Sequence, residues 1–304
     1  MIINYDFVFI MVSMKLRDWI DISKLNWEYL SSNSNAIDLL KENQDKINWN
    51  YLSLNENAIE LLKQNQDKID WDYLSLNTNA INILKNNINK IYWNILSFNK
   101  NAIELLNENQ DKINWYNLSL NPNAIELLKE NPDKINWYNL SYNKNAIELL
   151  KQNQDKIDSD IISSNPNAID FIKENPDKIN FKYLSLNPNG IKLLKSNLHK
   201  IDWNELSLNL NAIELLKQNP DKINWYWLSS NINAIELLKE NQDKINWKLL
   251  SKNPSIFTYD YEKIKNNFQN LRDEIIAKAL HPDRLFKLMK VYNKQDVYNT
   301  YFNY

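Results

Sequence analysis

The chain has no cysteine, one glycine and two histidines, and neither charge sign is in excess. The lack of cysteine excludes disulfides, thiolate zinc sites and thiol nucleophiles, and it is typical of a reducing compartment, so we expect the cytoplasm. The 36 basic and 38 acidic residues are interleaved along the chain. No single-sign field is therefore available to hold a polyanion, and nucleic acid is not the expected main partner.

The scarcity of histidine also bears on catalysis. His199 and His281 lie far apart in the sequence, and neither has the spacing of a metal site or of a nucleophile and its base. We therefore expect no enzyme, no catalytic residue, no metal ligand and no cofactor.

An aromatic residue recurs every 22 residues, and Ser159 fills the one gap in this ladder. The ladder aromatics are Trp27, Trp49, Trp71, Trp93, Trp115, Trp137, Phe181, Trp203, Trp225 and Trp247. Ten full repeats run from Trp27 to Asn246, an incomplete repeat 11 extends from Trp247 to about Phe257, and Asp21 to Asn26 supplies the end of a repeat before the first. This predicts an N-terminal extension and cap (1–26), a repeat array (27–257) and a helical C-terminal cap (258–304).

One repeat reads WYNLSLNPNAIELLKENPDKIN, from Trp115 to Asn136. Its segment NAIELLKEN predicts an amphipathic helix of about two turns, because apolar side chains fall on one face and charged ones on the other. We call it the leucine helix. Asn121 is the expected N-cap, with Pro122 as the first helical residue. Asn131 is expected to end the helix in the left-handed conformation.

A second, shorter helix, the tryptophan helix, should begin after Asn136. That position is Asn or Asp in every full repeat except at Tyr92, as an N-cap requires. Helical geometry places Trp137 on the same face as Leu140 and directs the two residues after the tryptophan away from it. We therefore expect the ladder aromatics to face the core rather than to act as stacking platforms for sugars or bases.

Neither helix is long enough to be stable alone, so stacking must supply the stability. A small residue recurs where backbones would approach closely: Ala36, Ala58, Ala80, Ala102, Ala124, Ala146, Ala168, Gly190, Ala212 and Ala234. The expected fold is all-α, an α-solenoid of short helix pairs. A leucine-rich-repeat-like solenoid is the alternative, because Leu118, Leu120 and Asn123 fit its LxLxxNxI core. The position of the second leucine, however, holds Ser32 and Phe98 in other repeats.

From about Thr258 the period is lost, and the sequence predicts two or three longer helices interrupted at Pro282. A cap is the simple interpretation, because an open solenoid needs a polar end. His281, Pro282 and Asp283 match the HPD tripeptide of J-domain co-chaperones, but the preceding helix is not strongly basic. A histidine that precedes a proline-initiated helix explains the tripeptide equally simply.

The apolar N-terminal residues resemble a signal sequence only in part. They carry Asp6, lack a basic start and a small-residue cleavage site, and are too short to span a bilayer. We therefore expect no membrane association. Residues 1–13 are either a first packing element or an extension ahead of a start at Met14.

The chain resembles repetitive proteins of giant DNA viruses that infect amoebae. The likeness lies in LSLNPNAIELLKENPDKINW (Leu118 to Trp137), in KLRDWIDISKLNW (Lys15 to Trp27) and in EIIAKALHPDRLFKLMKVY (Glu274 to Tyr292), which contains an HPxR box. It covers nearly all of the chain from Met14. The resemblance implies a viral protein made in an infected cell, in the host cytoplasm or the virion, and it implies no catalytic activity.

The expected function is that of a non-enzymatic scaffold that binds one or more proteins. A modular nucleic-acid-binding helical array and a structural component of the virion are the alternatives. Partners should touch the two variable residues after each ladder aromatic, where repeated aromatics offer good interface material. The candidate binding residues are Tyr29, Tyr51, Tyr73, Tyr116, Tyr138, Tyr183, Tyr226 and Trp227.

Overall fold

The computed structural model describes residues 13–291, 294 and 297. The two interpretations of residues 1–13 therefore fall outside the described residues, apart from Ser13. The chain divides into two compact units, one of residues Leu16–Phe257 and the other of the flanking residues 1–15 and 258–304. We call the first unit the repeat domain.

The repeat domain is an array of short helices, so the predicted all-α solenoid of helix pairs is confirmed. The tryptophan helices are Trp27–Ser31, Trp49–Ser53, Trp71–Leu76, Trp93–Leu96, Trp115–Leu118, Trp137–Tyr142, Phe181–Leu186, Trp203–Leu208, Trp225–Leu228 and Trp247–Lys252. The leucine helices are Ile37–Glu42, Ile59–Gln64, Ile81–Lys85, Ile103–Asn107, Ile125–Glu130, Ile147–Lys151, Ile169–Glu174, Ile191–Lys195, Ile213–Lys217 and Ile235–Lys239.

A 3₁₀ turn leads into each tryptophan helix, and repeat 7 has a 3₁₀ helix, Ile161–Ser164, in place of its tryptophan helix. These turns are Ile22–Lys24, Gln44–Lys46, Gln66–Lys68, Ile88–Lys90, Gln110–Lys112, Pro132–Lys134, Gln154–Lys156, Pro176–Lys178, Leu198–Lys200, Pro220–Lys222 and Gln242–Lys244. Three more 3₁₀ helices are Ser34–Ala36, Pro166–Ala168 and Pro254–Ile256. Within the described residues, the strands are Met14–Leu16 and Phe257–Tyr259, which pair in one small sheet. A leucine-rich repeat would contribute one strand in every repeat. Among the described residues no strand recurs with the 22-residue period, so the leucine-rich-repeat alternative is wrong.

The predicted N-cap of the tryptophan helix and the predicted stop of the leucine helix at Asn131 are confirmed, but the start of the leucine helix and the left-handed conformation at its end were predicted wrongly. Asn136 Oδ1 accepts a hydrogen bond from the Asn139 amide at 2.9 Å, and Tyr92 makes no such bond. The leucine helix of repeat 5 begins at Ile125 rather than at Pro122. Asn131 has a φ of −131°, which is not left-handed. It instead ends the helix by donating from its side chain to the Leu127 carbonyl at 3.0 Å.

The leucine helix starts late because the side chain of Asn121 hydrogen-bonds to other groups than the amides of that helix. Its side-chain Nδ2 donates to two carbonyls of the preceding repeat, Ser97 O at 3.1 Å and Asn99 O at 3.0 Å, while its Oδ1 accepts from the Asn123 amide at 3.0 Å. The side chain is fully buried. It therefore holds a turn and the neighbouring repeat together instead of capping a helix. Equivalent asparagines repeat these bonds, which form a ladder of hydrogen bonds between repeats.

A serine makes a second link between neighbours. Ser119 Oγ donates to the Trp115 carbonyl at 2.8 Å and accepts at 3.0 Å from the amide of Asn136, the N-cap of the next repeat's tryptophan helix. Around these polar links, Leu118, Ala124 and Leu128 are wholly buried. The core is thus a row of leucines bounded by hydrogen-bonded polar groups.

The small-residue position marks a close approach of backbone to core. At Gly190, an added Cβ would lie 2.9 Å from the Leu184 carbonyl oxygen and 2.8 Å from the Leu184 Cδ1. The equivalent alanines have almost no exposed surface. A larger side chain here would force neighbouring atoms apart.

The first repeat packs on the last. Asn33 Nδ2 donates to Ser251 O at 3.0 Å and Asn253 O at 3.1 Å, which are the bonds that Asn55 makes to repeat 1. The Asn26 amide donates to Ser251 Oγ at 2.8 Å, and the Lys24 ammonium lies 5.0 Å from the centre of the Trp247 ring. Repeat 11 therefore precedes repeat 1 in space, and the repeat domain closes into a ring.

Two stretches of sequence build the closing repeat. Trp247 to Phe257 supplies its tryptophan helix and asparagine, and Leu16 to Asn26 supplies its 3₁₀ turn and cap; each contributes eleven residues, so that together they match the 22-residue period. Arg17 joins the halves, because its amide donates to Ile256 O at 2.9 Å and its Nε to Ser255 O at 2.8 Å. The incomplete repeat 11 and the fragment before repeat 1 complete each other.

The C-terminal residues form the longer helices that the sequence predicts, Tyr261–Ala279 and Pro282–Val291. His281 directly precedes the second helix, where its carbonyl accepts from the Arg284 amide at 3.0 Å. The structure thus supports the plain interpretation of this histidine, as the residue before a proline-initiated helix.

Ring closure predicts uniform protection against hydrogen exchange. Open solenoids fray at their ends, since the terminal repeats have one neighbour each. We expect the amides of Leu30 and Leu250 to exchange as slowly as that of Leu140, because all three make the same helical hydrogen bond. Hydrogen–deuterium exchange with mass spectrometry measures this, and markedly faster exchange at both ends of the array would show that the ring is open.

The asparagine ladder predicts a large stability loss on truncation. Asn143→Ala would leave the buried Ser119 and Asn121 carbonyls and the Asn145 amide without their partner, at a cost of about 2–4 kcal/mol in the free energy of unfolding. The control is Asn145→Ala, whose exposed side chain donates one bond, to Pro122 O, and which should cost about 1 kcal/mol or less. Urea unfolding compares the two, and equal losses would contradict the assigned role.

Candidate protein-binding face

The tryptophan helices line the inner side of the ring. Neighbouring tryptophan helices pack side by side around the array, whereas the leucine helices make their main contacts within their own repeat. In a closed ring the elements that lie closest together occupy the inner side. The leucine at the third position after each ladder aromatic faces the core, so the two residues before that leucine face inward. The residues directly after the ladder positions form the first row, and the residues two after the ladder positions form the second row.

First-row residues are mostly exposed. Tyr116, Tyr138 and Tyr226 have 55%, 47% and 50% of their surface accessible. The same row holds asparagine, aspartate, glutamate or lysine in the other repeats. No feature of the fold requires an aromatic there, and these three tyrosines are free to contact a partner.

Second-row residues lie between neighbouring helices. The ring centres of Tyr29 and Tyr51 are 5.6 Å apart, and those of Tyr51 and Tyr73 are 5.9 Å apart. These three tyrosines therefore form a single row, but their rings are half-buried against each other, whereas the sequence predicts that they point away from the core. Tyr183 is half-buried as well, whereas Trp227 is 40% exposed.

Asn139 shows most clearly why the second row differs from the expectation. Its side chain, predicted to point away from the core, is buried and donates to the Tyr116 carbonyl of the preceding repeat at 2.8 Å. Asn117 does the same toward Asn94. An angular argument on a single helix misses this burial, because the neighbouring helix covers the side chain.

In two tyrosine clusters, the surroundings raise the pKa of one phenol. Burial, together with hydrogen bonding to Tyr138 and Tyr183, raises the pKa of Tyr142 far above its ordinary value. A hydrogen bond to the Glu28 carboxylate raises the pKa of Tyr51. Both phenols therefore stay neutral at physiological pH and offer hydroxyl groups as well as rings.

The ladder aromatics are half-buried, not core residues as predicted. A lysine near the end of the same repeat covers the ring: the ammonium of Lys134 lies 4.6 Å from the centre of Trp115, and that of Lys156 lies 4.6 Å from Trp137. A cation over an aromatic face is attracted by the ring quadrupole. Sequence reasoning missed this contact, although the lysine recurs three residues before every ladder position.

Charges on the two rows are mixed and slightly acidic. The acidic side chains are Glu28, Asp72, Asp160 and Glu205, and the basic ones are Lys182 and Lys248. Lys248 lies over the Tyr29 ring across the closure, with its ammonium 4.9 Å from the ring centre. The inner face therefore lacks the basic stripe that a nucleic-acid backbone requires.

Within the described residues, no group of three or more His, Asp or Glu side chains is placed to hold a metal ion, and no helix is long and apolar enough to cross a membrane. Comparison of the chain with protein-family models, with curated proteins and with solved structures finds no match. The functional argument therefore depends on the geometry of this face.

Stability measurements should separate structural from free tyrosines. Tyr51→Ser removes two ring contacts and a hydrogen bond to Glu28, so we expect a loss of about 1–3 kcal/mol. The matched change Tyr116→Ser, on an exposed ring, should stay within about 0.5 kcal/mol of the parent. Urea unfolding tests both, and a large loss at Tyr116 would make that ring structural and unsuitable as a binding residue.

Proposed function

We propose that the chain is a non-enzymatic scaffold whose ring binds protein segments through its inner face. The observation that carries the proposal is the set of exposed first-row aromatics, Tyr116, Tyr138 and Tyr226, on a surface where the fold itself accepts polar and charged residues. Exposed tyrosine and tryptophan are enriched at the centres of protein interfaces. The tyrosine hydroxyls add hydrogen bonding at low cost in side-chain entropy.

The inner face favours an extended peptide over a nucleic acid. Tyr226 and Trp227 form an edge-to-face pair with ring centres 4.8 Å apart, and Tyr138 and Tyr142 form another at 6.0 Å. The grooves between such rings suit side chains of a peptide, while Glu28, Asp72 and Glu205 on the same rows repel phosphates. The resemblance to repetitive proteins of giant viruses adds the proposal that the scaffold acts in an infected cell, with its partner from the host or the virus.

Peptide selection tests the proposal. A phage-displayed library of random peptides is selected on the immobilised full chain, and recovered peptides are measured in solution against the parent and the variant Tyr116→Ser, Tyr138→Ser, Tyr226→Ser. We expect peptides that bind the parent to lose at least tenfold in affinity for the variant, because their aromatic contacts are gone. Circular dichroism should show that the variant keeps the helical signal.

The control variant is Tyr92→Ser, which removes an exposed tyrosine outside the two rows and should leave peptide affinity unchanged. Peptides that bind parent and triple variant equally would place the binding surface elsewhere. Affinity capture from infected cells, analysed by mass spectrometry with the same three proteins, then names the partner. Recovery of nucleic acid alone, sensitive to nuclease, would contradict the proposal.

A further inference from the structure

Repeat 8, from Phe181 to Asp202, departs from the charge balance of the other repeats. It carries four lysines and a single carboxylate, that of Asp202. The other nine full repeats carry two or three lysines each, and all of them except repeat 3 have at least three carboxylates. The interleaving of charges along the chain is therefore interrupted here, and repeat 8 has the largest basic excess.

Two exchanges of an acid for a base produce this excess. The second residue of the leucine helix is Glu, Asp or Asn in every other full repeat but is Lys192 in repeat 8. The middle residue of the following 3₁₀ turn is Asp in eight full repeats, but it is His199 here and Asn89 in repeat 3. Because the tryptophan helices line the inner side of the ring, Lys192 lies on the outer side.

Ion pairs in the other repeats show where these side chains meet. In five leucine helices, the lysine at position five pairs with the acid at position two, with 2.7–3.2 Å between ammonium and carboxylate: Lys63 with Glu60, Lys129 with Glu126, Lys151 with Glu148, Lys173 with Asp170 and Lys217 with Glu214. Lys192 and Lys195 occupy the same two positions. Their ammonium groups can therefore both contact one carboxylate of a partner.

The acids of the neighbouring repeats do not neutralise these two lysines. Both side chains are exposed, and no carboxylate among the described residues forms an ion pair with either. Asp170 in repeat 7 and Glu214 in repeat 9 are the equivalents of Lys192, and a lysine of its own repeat holds each at 3.0 Å. Like charges on adjacent turns of a helix repel. The fold gains nothing from this arrangement, whereas an anionic partner would relieve it.

An exposed leucine adjoins the two lysines. Leu198 has 48% of its surface accessible, at a position that is Gln or Pro in most other full repeats. In repeat 4 the residue equivalent to Leu198 is Gln110, whose side chain donates to the side chain of Asn107, the equivalent of Lys195, at 2.8 Å. The side chain of Leu198 therefore lies beside that of Lys195. We call Lys192, Lys195, Leu198 and His199 the basic patch.

We infer that the basic patch is a docking site for an acidic segment of a protein partner, in which carboxylates flank an apolar residue. The carboxylates pair with Lys192 and Lys195, and the apolar side chain covers Leu198. A nucleic acid fits less well, because repeats 7 and 9 bring four and three carboxylates on either side, whereas a phosphate backbone needs a longer basic stripe. This outer surface goes beyond the proposed function of the inner face and does not depend on it.

Saturation-transfer NMR with the full chain tests the patch. The probe is the peptide Ac-Glu-Asp-Leu-Glu-Asp-NH2, observed through its leucine methyl signals, and the control peptide is Ac-Gln-Asn-Leu-Gln-Asn-NH2. We expect saturable binding of the probe at low salt with half-saturation on the order of 1 mM, as suits exposed ion pairs. The control peptide should bind at least about fivefold more weakly, and added salt should weaken the binding of the probe by screening.

Lys192→Glu gives repeat 8 the acid that most other repeats have at this position. The variant should therefore resist urea at least as well as the parent, while its affinity for the probe falls at least about fivefold. Lys63→Glu makes the same charge change on the leucine helix of repeat 2 and should leave that affinity unchanged. Leu198→Gln, which introduces the most common residue at its position, should weaken binding about twofold.

Circular dichroism checks that each variant is folded, and Lys192→Gln replaces Lys192→Glu if the latter is not. Three results would overturn the inference: no saturable binding of the probe, equal losses in Lys192→Glu and Lys63→Glu, or tighter binding of an oligothymidylate that Lys192→Glu abolishes. The last result would assign the patch to nucleic acid. The variant Tyr116→Ser, Tyr138→Ser, Tyr226→Ser should bind the probe like the parent, because the basic patch lies apart from the tyrosine rows.

Discussion

The buried asparagine that follows each tryptophan helix is the contact on which the rest of the structure depends. Its amide supplies two donors to carbonyls of the preceding repeat and one acceptor to its own turn. Helices of four to six residues leave most of their end groups unsatisfied, and a buried unpaired carbonyl is costly. The asparagine removes that cost at every junction. It occurs in all eleven repeats, whereas the aromatic is absent from one, so the frame tolerates loss of a ring more readily than loss of this amide.

Much of the fold could be predicted from the sequence, because a period of 22 residues repeats every local signal many times. The pairing of a tryptophan helix with a leucine helix and the cap at Asn136 both follow from side-chain chemistry within one repeat. The start of the leucine helix does not. Asn121 is a good N-cap in isolation, but its side chain has better partners in the preceding repeat, and those partners exist only after stacking.

The candidate face could be predicted only in part, because some of its contacts likewise exist only after stacking. Angles on one helix place Tyr116 and Tyr138 correctly in solvent, since both rings stay about half exposed in the folded ring. They fail for Asn139 and for the tyrosines of the second row, because adjacent helices approach closely enough to cover those side chains. The half-burial of the ladder tryptophans under lysines is a contact between the first and the last residues of one repeat, which only the folded repeat brings together. The sequence did carry a sign of closure, in the fragment Asp21 to Asn26 that completes Trp247 to Phe257, but nothing local sets the curvature that brings them together.

Closure also restricts how the chain can change over time. Arrays of near-identical repeats readily gain or lose whole copies, and an open solenoid simply becomes longer or shorter. Here a full turn is divided among eleven repeats joined end to end, which fixes a rotation of about 33° per repeat. A twelfth copy would require about 30° at every junction, and each asparagine would have to reach its two carbonyls from a shifted position. Close-packed interfaces resist such small uniform adjustments. The number of copies is therefore a structural property of this protein, set by the geometry of one side-chain amide.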